Sequence, residues 1–112
     1  MNKFLGKLVM TREINDCIAD DENFAKEVLK ALTRYKNHDW GEMCEEDKQM
    51  NDEAIKNDND RVFAAYETSQ VKIYIITEYD RSYTTILFSY EYWLEKSNNG
   101  KYRTVNALWI LQ

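Results

Sequence analysis

His38, Cys44 and the carboxylates around them, in the stretch HDWGEMCEEDKQMND (38–52), are the residues of this chain best suited to chemistry. His38 is the only histidine and Cys44 one of two cysteines. Imidazole nitrogen and thiolate are good zinc donors, and Asp39, Glu42 and Cys17 could supplement them. A closed zinc site wants four ligands in tetrahedral array, usually rich in Cys and His. The chain holds only three Cys and His residues in all, so such a site needs a carboxylate or a second chain. No Cys-x-x-Cys or His-x-x-x-His pair is present. The structural alternative packs Cys17 in a helix core, sets Cys44 at a helix start and leaves His38 in a loop.

The same pair, six positions apart, could form a Cys–His nucleophilic couple. That chemistry also needs oxyanion donors, and no candidate loop offers them. There is no Gly-rich phosphate cradle and no Walker or dinucleotide motif. The carboxylates are many, but no two stand in visibly opposed environments that would divide acid from base. The chain therefore reads as a non-enzyme.

The acidic residues carry more information. Between Glu42 and Asp60 there are eight carboxylates, Glu42, Glu45, Glu46, Asp47, Asp52, Glu53, Asp58 and Asp60, against Lys48 and Lys56. This segment is thus six charges negative, and the rest of a chain of net charge −5 is one charge positive. Such a patch attracts cationic surfaces and speeds encounter, through a field that salt weakens. Glu42, Glu45, Glu46, Asp47, Asp52 and Glu53 are the candidate partner-binding residues. A solvated helix face is the plainer account of the same run. Tyr79, Tyr83, Tyr90, Tyr92 and Trp93 form a second candidate, since Tyr and Trp are enriched at interface hot spots; they are also ordinary sheet residues.

The elements that must position these groups follow from periodicity. Residues 11–36 look helical, with Ile14, Cys17 and Ile18 on one face, then Phe24, Val28, Leu29, Leu32 and Tyr35. Asp20 or Asp21 can cap the second of two helices, so a break is expected there. KNHDWGE (36–42) has no period and reads as a loop, with Trp40 beside Gly41 anchoring it to the core. A third helix is expected from about Cys44 to Asn57, with a thin apolar stripe of Met43, Met50, Ala54 and Ile55. Glu45, Glu46 and Asp47 suit its N-terminal dipole. NDND (57–60) is a turn cluster. After Arg61 the period falls to two through RVFAAYE, VKIYIITE and YTTILFSYEYW, an antiparallel meander with TSQ and YDRS as turns. SNNGK is a further turn signal, so YRTVNALWILQ can add a fourth strand. The expectation is an α+β domain with N-terminal helices packed on one face of a three- to four-stranded antiparallel meander, helical over about 11–57 and mainly strands over 61–112.

A chain of 112 residues, 44% apolar and 13% aromatic, with no Pro and three Gly, is read as one folded domain, residues 1–112. An acidic chain with no basic patch is not a simple nucleic-acid binder. No apolar run approaches a membrane span of about 20 residues, and MNKFLGKLVM is not read as a signal peptide. Two cysteines without such a signal fit free thiols in a reducing cytoplasm.

Three stretches, NFAKEVLKALTRY, DWGEMCEEDKQMND and VFAAYETSQVKIYIITEYDRSYTTILF, resemble a small bacterial family of plasmid-related or mobile-element proteins over roughly residues 11–90. The chain departs from the family pattern after Phe88, and His38 stands where a Gly is common. The chain is also similar to anti-CRISPR inhibitors of type II-A Cas9, among them metal-containing ones. The resemblance implies an inhibitor that binds Cas9 in the bacterial cytoplasm, and an acidic helix set in one of its cationic channels would hinder target-DNA loading. Zinc held by His38 and Cys44 remains a reading of the residues alone, since the family pattern does not carry the histidine. A non-enzymatic accessory or regulatory protein of a plasmid or phage-like element is the alternative.

Overall fold

The structure, a computed structural model, describes residues 3–96, 102–105 and 109–111, with side chains from 4 to 92. A short 3-10 turn at Lys3–Leu5 leads into strand β1 (Lys7–Thr11). Thr11 ends that strand and caps helix α1 (Arg12–Asp20), its hydroxyl accepting from the Ile14 N–H at 3.3 Å. Asp21 then caps helix α2 (Glu22–Lys36), its carboxylate accepting from the Phe24 N–H at 3.1 Å. An extended residue with a short acceptor is what a helix start needs, and Asp21 supplies both. Helix α3 (Glu45–Asn57) precedes strands β2 (Val62–Tyr66), β3 (Ile73–Thr77) and β4 (Tyr83–Phe88).

The fold class is α+β, but the sheet is mixed rather than purely antiparallel. Strands β2, β3 and β4 do form the expected meander. The correction comes from β1, which pairs in parallel with β4, Leu8 opposite Thr84 and Met10 opposite Ile86. Five residues of KLVMT are too few to show a period, and a parallel partner some 75 residues away leaves no local trace. Strand β7 (Trp109–Leu111) adds antiparallel to the far side of β1, giving the order β2-β3-β4-β1-β7. Strands β5 (Trp93–Lys96) and β6 (Tyr102–Val105) pair with each other in a separate two-stranded sheet, so YRTV does not extend the meander. The expected SNNGK turn (97–101) lies outside the described residues. The third predicted strand also ends sooner than its composition suggests: Ser89–Glu91 is a 3-10 turn, with Glu91 accepting from the Phe88 N–H at 2.9 Å and the Thr11 hydroxyl at 2.8 Å.

One apolar cluster joins Ile14 of α1, Phe24, Val28, Ala31, Leu32 and Tyr35 of α2 and Ala54 of α3 to the sheet residues Val62, Ala64, Tyr66, Ile73, Ile75, Ile86 and Phe88. The sheet members alternate along each strand, so they share a face. Each fully buried aliphatic or aromatic side chain there contributes about 1.5–3 kcal/mol by leaving water. One polar chain runs through this core. The Thr84 hydroxyl donates to the Leu5 carbonyl, so it must accept from Thr77, and Thr77 in turn accepts from the Tyr35 hydroxyl; both of these bonds are 2.7 Å. Leu29, read as part of the apolar face of α2, is instead 65% exposed.

Candidate acidic interaction surface

Helix α3 holds the acidic residues, and it is an unusual helix to fold onto a core. It buries only Asn51 and Ala54. Met50, expected in its apolar stripe, is 60% exposed. Cys44 is the N-cap, in extended conformation but without a side-chain cap bond, so Glu45, Glu46 and Asp47 in the first turn supply the favourable charge at the positive end. Asp58 turns left-handed at φ 52°, while its N–H donates to Ile55 and that of Asn59 to Ala54. This closure satisfies carbonyls the last helical turn would otherwise leave bare.

Three polar clamps do what apolar burial does for most helices. The Asn51 amide donates to the Phe63 carbonyl at 2.8 Å and accepts the Phe63 N–H at 3.1 Å, pairing with edge strand β2 as a neighbouring strand would. The Trp40 indole N–H donates to Asp52 at 2.9 Å. Arg81, in the β3–β4 turn, donates to the carbonyls of Ala54, Asn59 and Asp60 at 2.7, 3.0 and 2.6 Å, and lies 3.4 Å from the Asp58 carboxylate. Its guanidinium places a cation at the negative end of the helix dipole.

The loop before α3 completes the edge of the sheet. The Glu42 N–H donates to the Ala65 carbonyl at 2.7 Å and the Ala65 N–H to Trp40 at 3.4 Å. Gly41 permits this approach: it sits at φ 73°, and a Cβ there would lie 2.0 Å from the Ala65 carbonyl oxygen. Trp40 is buried as expected, ring edge to Tyr35. The Asp39 carboxylate accepts from Arg34 at 2.8 and 3.2 Å, and the guanidinium holds it below the usual carboxylate range.

With these anchors fixed, helical geometry assigns the faces. At about 100° per residue, Glu45, Glu46, Asp52 and Glu53 share the half of α3 opposite Asn51 and Ala54, and all four are exposed. Among the described residues no cation stands within ion-pair distance of any of these four. Lys56 lies on the same half of the helix, and Lys48 beside it is half-buried. Asp47 departs from the group, lining a shallow groove with Met43, Met50 and Phe63. Glu42 precedes the helix and is exposed.

A second acidic group, Glu13, Asp16, Asp20, Asp21, Glu22 and Glu27 along α1 and α2, is masked in the charge count by Arg12, Lys26, Lys30, Arg34 and Lys36 of the same helices. Its members are engaged differently: Asp21 caps a helix and accepts from Gln70 at 2.8 Å, and Glu27 accepts both the Ser69 N–H and hydroxyl. Asn51 carries no recognisable motif, and Arg81 reads in the sequence only as part of the YDRS turn.

The metal candidates fall differently. His38 follows α2 in left-handed conformation, φ 63°, with its N–H donating to Tyr35 and that of Asp39 to Arg34. Glycine adopts this backbone most readily. The His38 ring stacks on Trp40 at 5.3 Å and meets Phe4 edge-on at 5.6 Å. Cys44 is exposed and Cys17 half-buried, both free thiols; burial and the nearby Asp21 and Glu13 carboxylates push the Cys17 thiol up. Among the described residues no three of His, Cys, Asp and Glu gather as a metal site. Among them too, no helix is long and apolar enough to cross a membrane. Of the exposed aromatics, Tyr79 and Tyr90 are 66% and 61% exposed, while Tyr92 packs against Phe63 and Tyr74; the Trp93 side chain lies outside the described residues. Compared with protein-family models, curated proteins and solved structures, the chain finds no match.

Proposed function

We propose that this protein is a non-enzymatic inhibitor that presents the outer face of α3 to a cationic groove of a Cas9 effector and hinders loading of target DNA. The observation that carries the reading is the set Glu45, Glu46, Asp52 and Glu53, four exposed carboxylates on one side of a helix that is tied down at its middle and at its C-terminal end. Effectors of this kind hold nucleic acid in positively charged channels, and fixed carboxylates on a rigid helix can occupy the place of phosphates. In this reading α1–α3 lie together on one sheet face, as their shared core supports. The inhibition takes place in the bacterial cytoplasm and requires no metal. A zinc bridging His38 and Cys44 of two chains would be an addition to it rather than its basis.

The test is a cleavage assay with Cas9 ribonucleoprotein, adding the protein before or after target DNA. Inhibition is expected only when it is added first, and it should weaken as salt rises. Glu45→Lys, Glu46→Lys and Glu53→Lys combined with Asp52→Asn should lower potency at least about tenfold, since several charge pairs of up to about 1 kcal/mol each are inverted. Asn at 52 keeps an acceptor for Trp40, and an unchanged melting temperature would show that the fold survives. Undiminished cleavage at excess protein rejects the target, whereas full potency of the reversed variant rejects the surface. The exposed Tyr79 and Tyr90 favour a second reading, an accessory protein of a mobile element acting through another partner. A pull-down from host lysate with a Tyr79→Ser, Tyr90→Ser control separates the two.

A further inference from the structure

Beside the acidic face, between α3 and the edge strand β2, lies a shallow groove of about 300 Å³. Its lining includes the apolar side chains of Met43, Met50 and Phe63 and the carboxylates of Asp47 and Asp60. We infer that this groove takes a lysine side chain of a basic protein segment, the aliphatic stem against the two methionines and the ammonium between the two carboxylates. The inference rests on the inhibitor reading and names the chemistry of its partner more closely.

Three observations support it. Met50 is 60% exposed on a helix with almost no other apolar surface, and methionine's unbranched, polarizable chain adapts to an aliphatic guest. Long cationic side chains lay their stems on apolar surface while the charged head stays near solvent, which suits a groove that opens outward. The local charge is also right. Asp47 and Asp60 are both exposed, and they sit within a segment six charges negative. Arg61 lines the groove too and is the like charge that opposes a cation. Its guanidinium is drawn aside, stacked over Phe63 and Tyr92 and donating to the Tyr92 hydroxyl. Asp60 has one oxygen accepting the Arg61 N–H at 2.9 Å, which leaves the other for a guest.

The experiment titrates the full chain, labelled at methionine methyl groups, with a decapeptide of alternating Lys and Ala, and in parallel with an Arg–Ala peptide and with spermidine. The expected result is saturable shifts of the Met43 and Met50 methyls with the lysine peptide. Asp47→Asn with Asp60→Asn should weaken binding about fivefold, in line with the loss of two exposed charge pairs. Met50→Gln should weaken it without altering charge, while Asp16→Asn with Asp20→Asn, exposed on α1 outside the acidic segment, leaves the methyl shifts in place. The proposal is overturned if the methyls stay still, if Met50→Gln binds like the parent, or if spermidine or the arginine peptide binds equally well. Methyl shifts without inhibition of Cas9 would sustain the groove and sink the inhibitor reading. Full inhibition by the Asp47→Asn, Asp60→Asn, Met50→Gln variant would do the reverse.

Discussion

Asn51 is the residue through which the attachment of the acidic helix can be tested most directly. Its amide makes two hydrogen bonds to the backbone of Phe63, and it is 4% exposed. Replacing it with Ala removes both bonds, each worth about 1 kcal/mol net. Ala gains about 0.6 kcal/mol over Asn as a helix former, but the bare Phe63 N–H and carbonyl add a cost of about 1–3 kcal/mol unless water reaches them. The net loss should be about 1.5 kcal/mol if water reaches the bared groups and up to about 4 kcal/mol if it does not, which lowers the urea midpoint by roughly 1 M or more at the slope expected for a domain of this size. The more diagnostic readout is amide exchange. Phe63 lies on an edge strand, so its N–H is protected by the Asn51 side chain rather than by a neighbouring strand. In Asn51→Ala that amide should exchange far faster, while those of β3 and β4 slow or quicken only with global stability. Asn51→Asp is a second probe: one oxygen still accepts the Phe63 N–H, but the other faces the Phe63 carbonyl. Its folded pKa is therefore raised, so its penalty is present at neutral pH and relieved as the carboxylate protonates in acid. Unchanged Phe63 protection in Asn51→Ala would refute the claim that this side chain closes the sheet edge.

Other consequences can be measured on the same material. Gly41→Ala combines a φ of 73° with a Cβ placed 2.0 Å from the Ala65 carbonyl oxygen, so it should cost at least about 2 kcal/mol by thermal or urea melting; a loss below about 0.5 kcal/mol would mean the loop does not dock as described. Arg81→Lys keeps the charge but loses the planar fork that reaches three carbonyls, and should cost about 1–3 kcal/mol with faster exchange in the last turn of α3; equal stability would show that charge alone suffices. Burial pushes the Tyr35 hydroxyl well above the ordinary tyrosine value. The folded state therefore keeps a proton that the unfolded chain releases above about pH 10, and this group lowers stability by about 1.4 kcal/mol per pH unit beyond that point, in addition to Tyr66, which burial also pushes up. Tyr35→Phe should make that slope shallower at a cost of only about 1 kcal/mol at neutral pH, because Thr77 loses a donor but keeps Thr84 as its acceptor; an unaltered slope would assign the alkaline loss to another group.

What could be read ahead of the coordinates is what is local in the chain. Asp21 as a cap, the break before α2, the start of α3 near Cys44 and the three strands of the meander each depend on residues within a few positions. What could not be read depends on partners far away in sequence. Strand β1 exists because β4 offers it a parallel edge, and a run of Leu8, Val9 and Met10 carries no period of its own. Arg81 looks like an ordinary turn residue until the turn lands beside the end of α3. The acidic surface was legible as a count, but its direction was not. Helical period alone sorts residues into faces without saying which face is buried, and the apolar stripe pointed to Met50 when the inward residue is Asn51.

That error explains the character of the helix. A segment with eight carboxylates and little apolar surface cannot buy its place by hydrophobic burial, since burying only Ala54 and the Asn51 amide offsets little of the entropy of ordering thirteen residues. It must be tied by directional bonds, and these fall at Trp40 to Asp52, Asn51 to Phe63, and Arg81 to the helix C-terminus. Clamps of this kind constrain only the inward side and the C-terminal end. Beyond the Asp52 bond and the dipole charge that Glu45 and Glu46 supply at the helix start, the outward positions carry no structural duty, so their charge is free to be set by something other than folding. Neutralising Glu45, Glu46 and Glu53 should accordingly cost no more than that dipole stabilisation, about 0.3–1 kcal/mol for each of the first two. If it instead raised stability by more than about 1 kcal/mol, the uncompensated charge would be a burden carried by the fold, and a partner would be the natural account of why it is there.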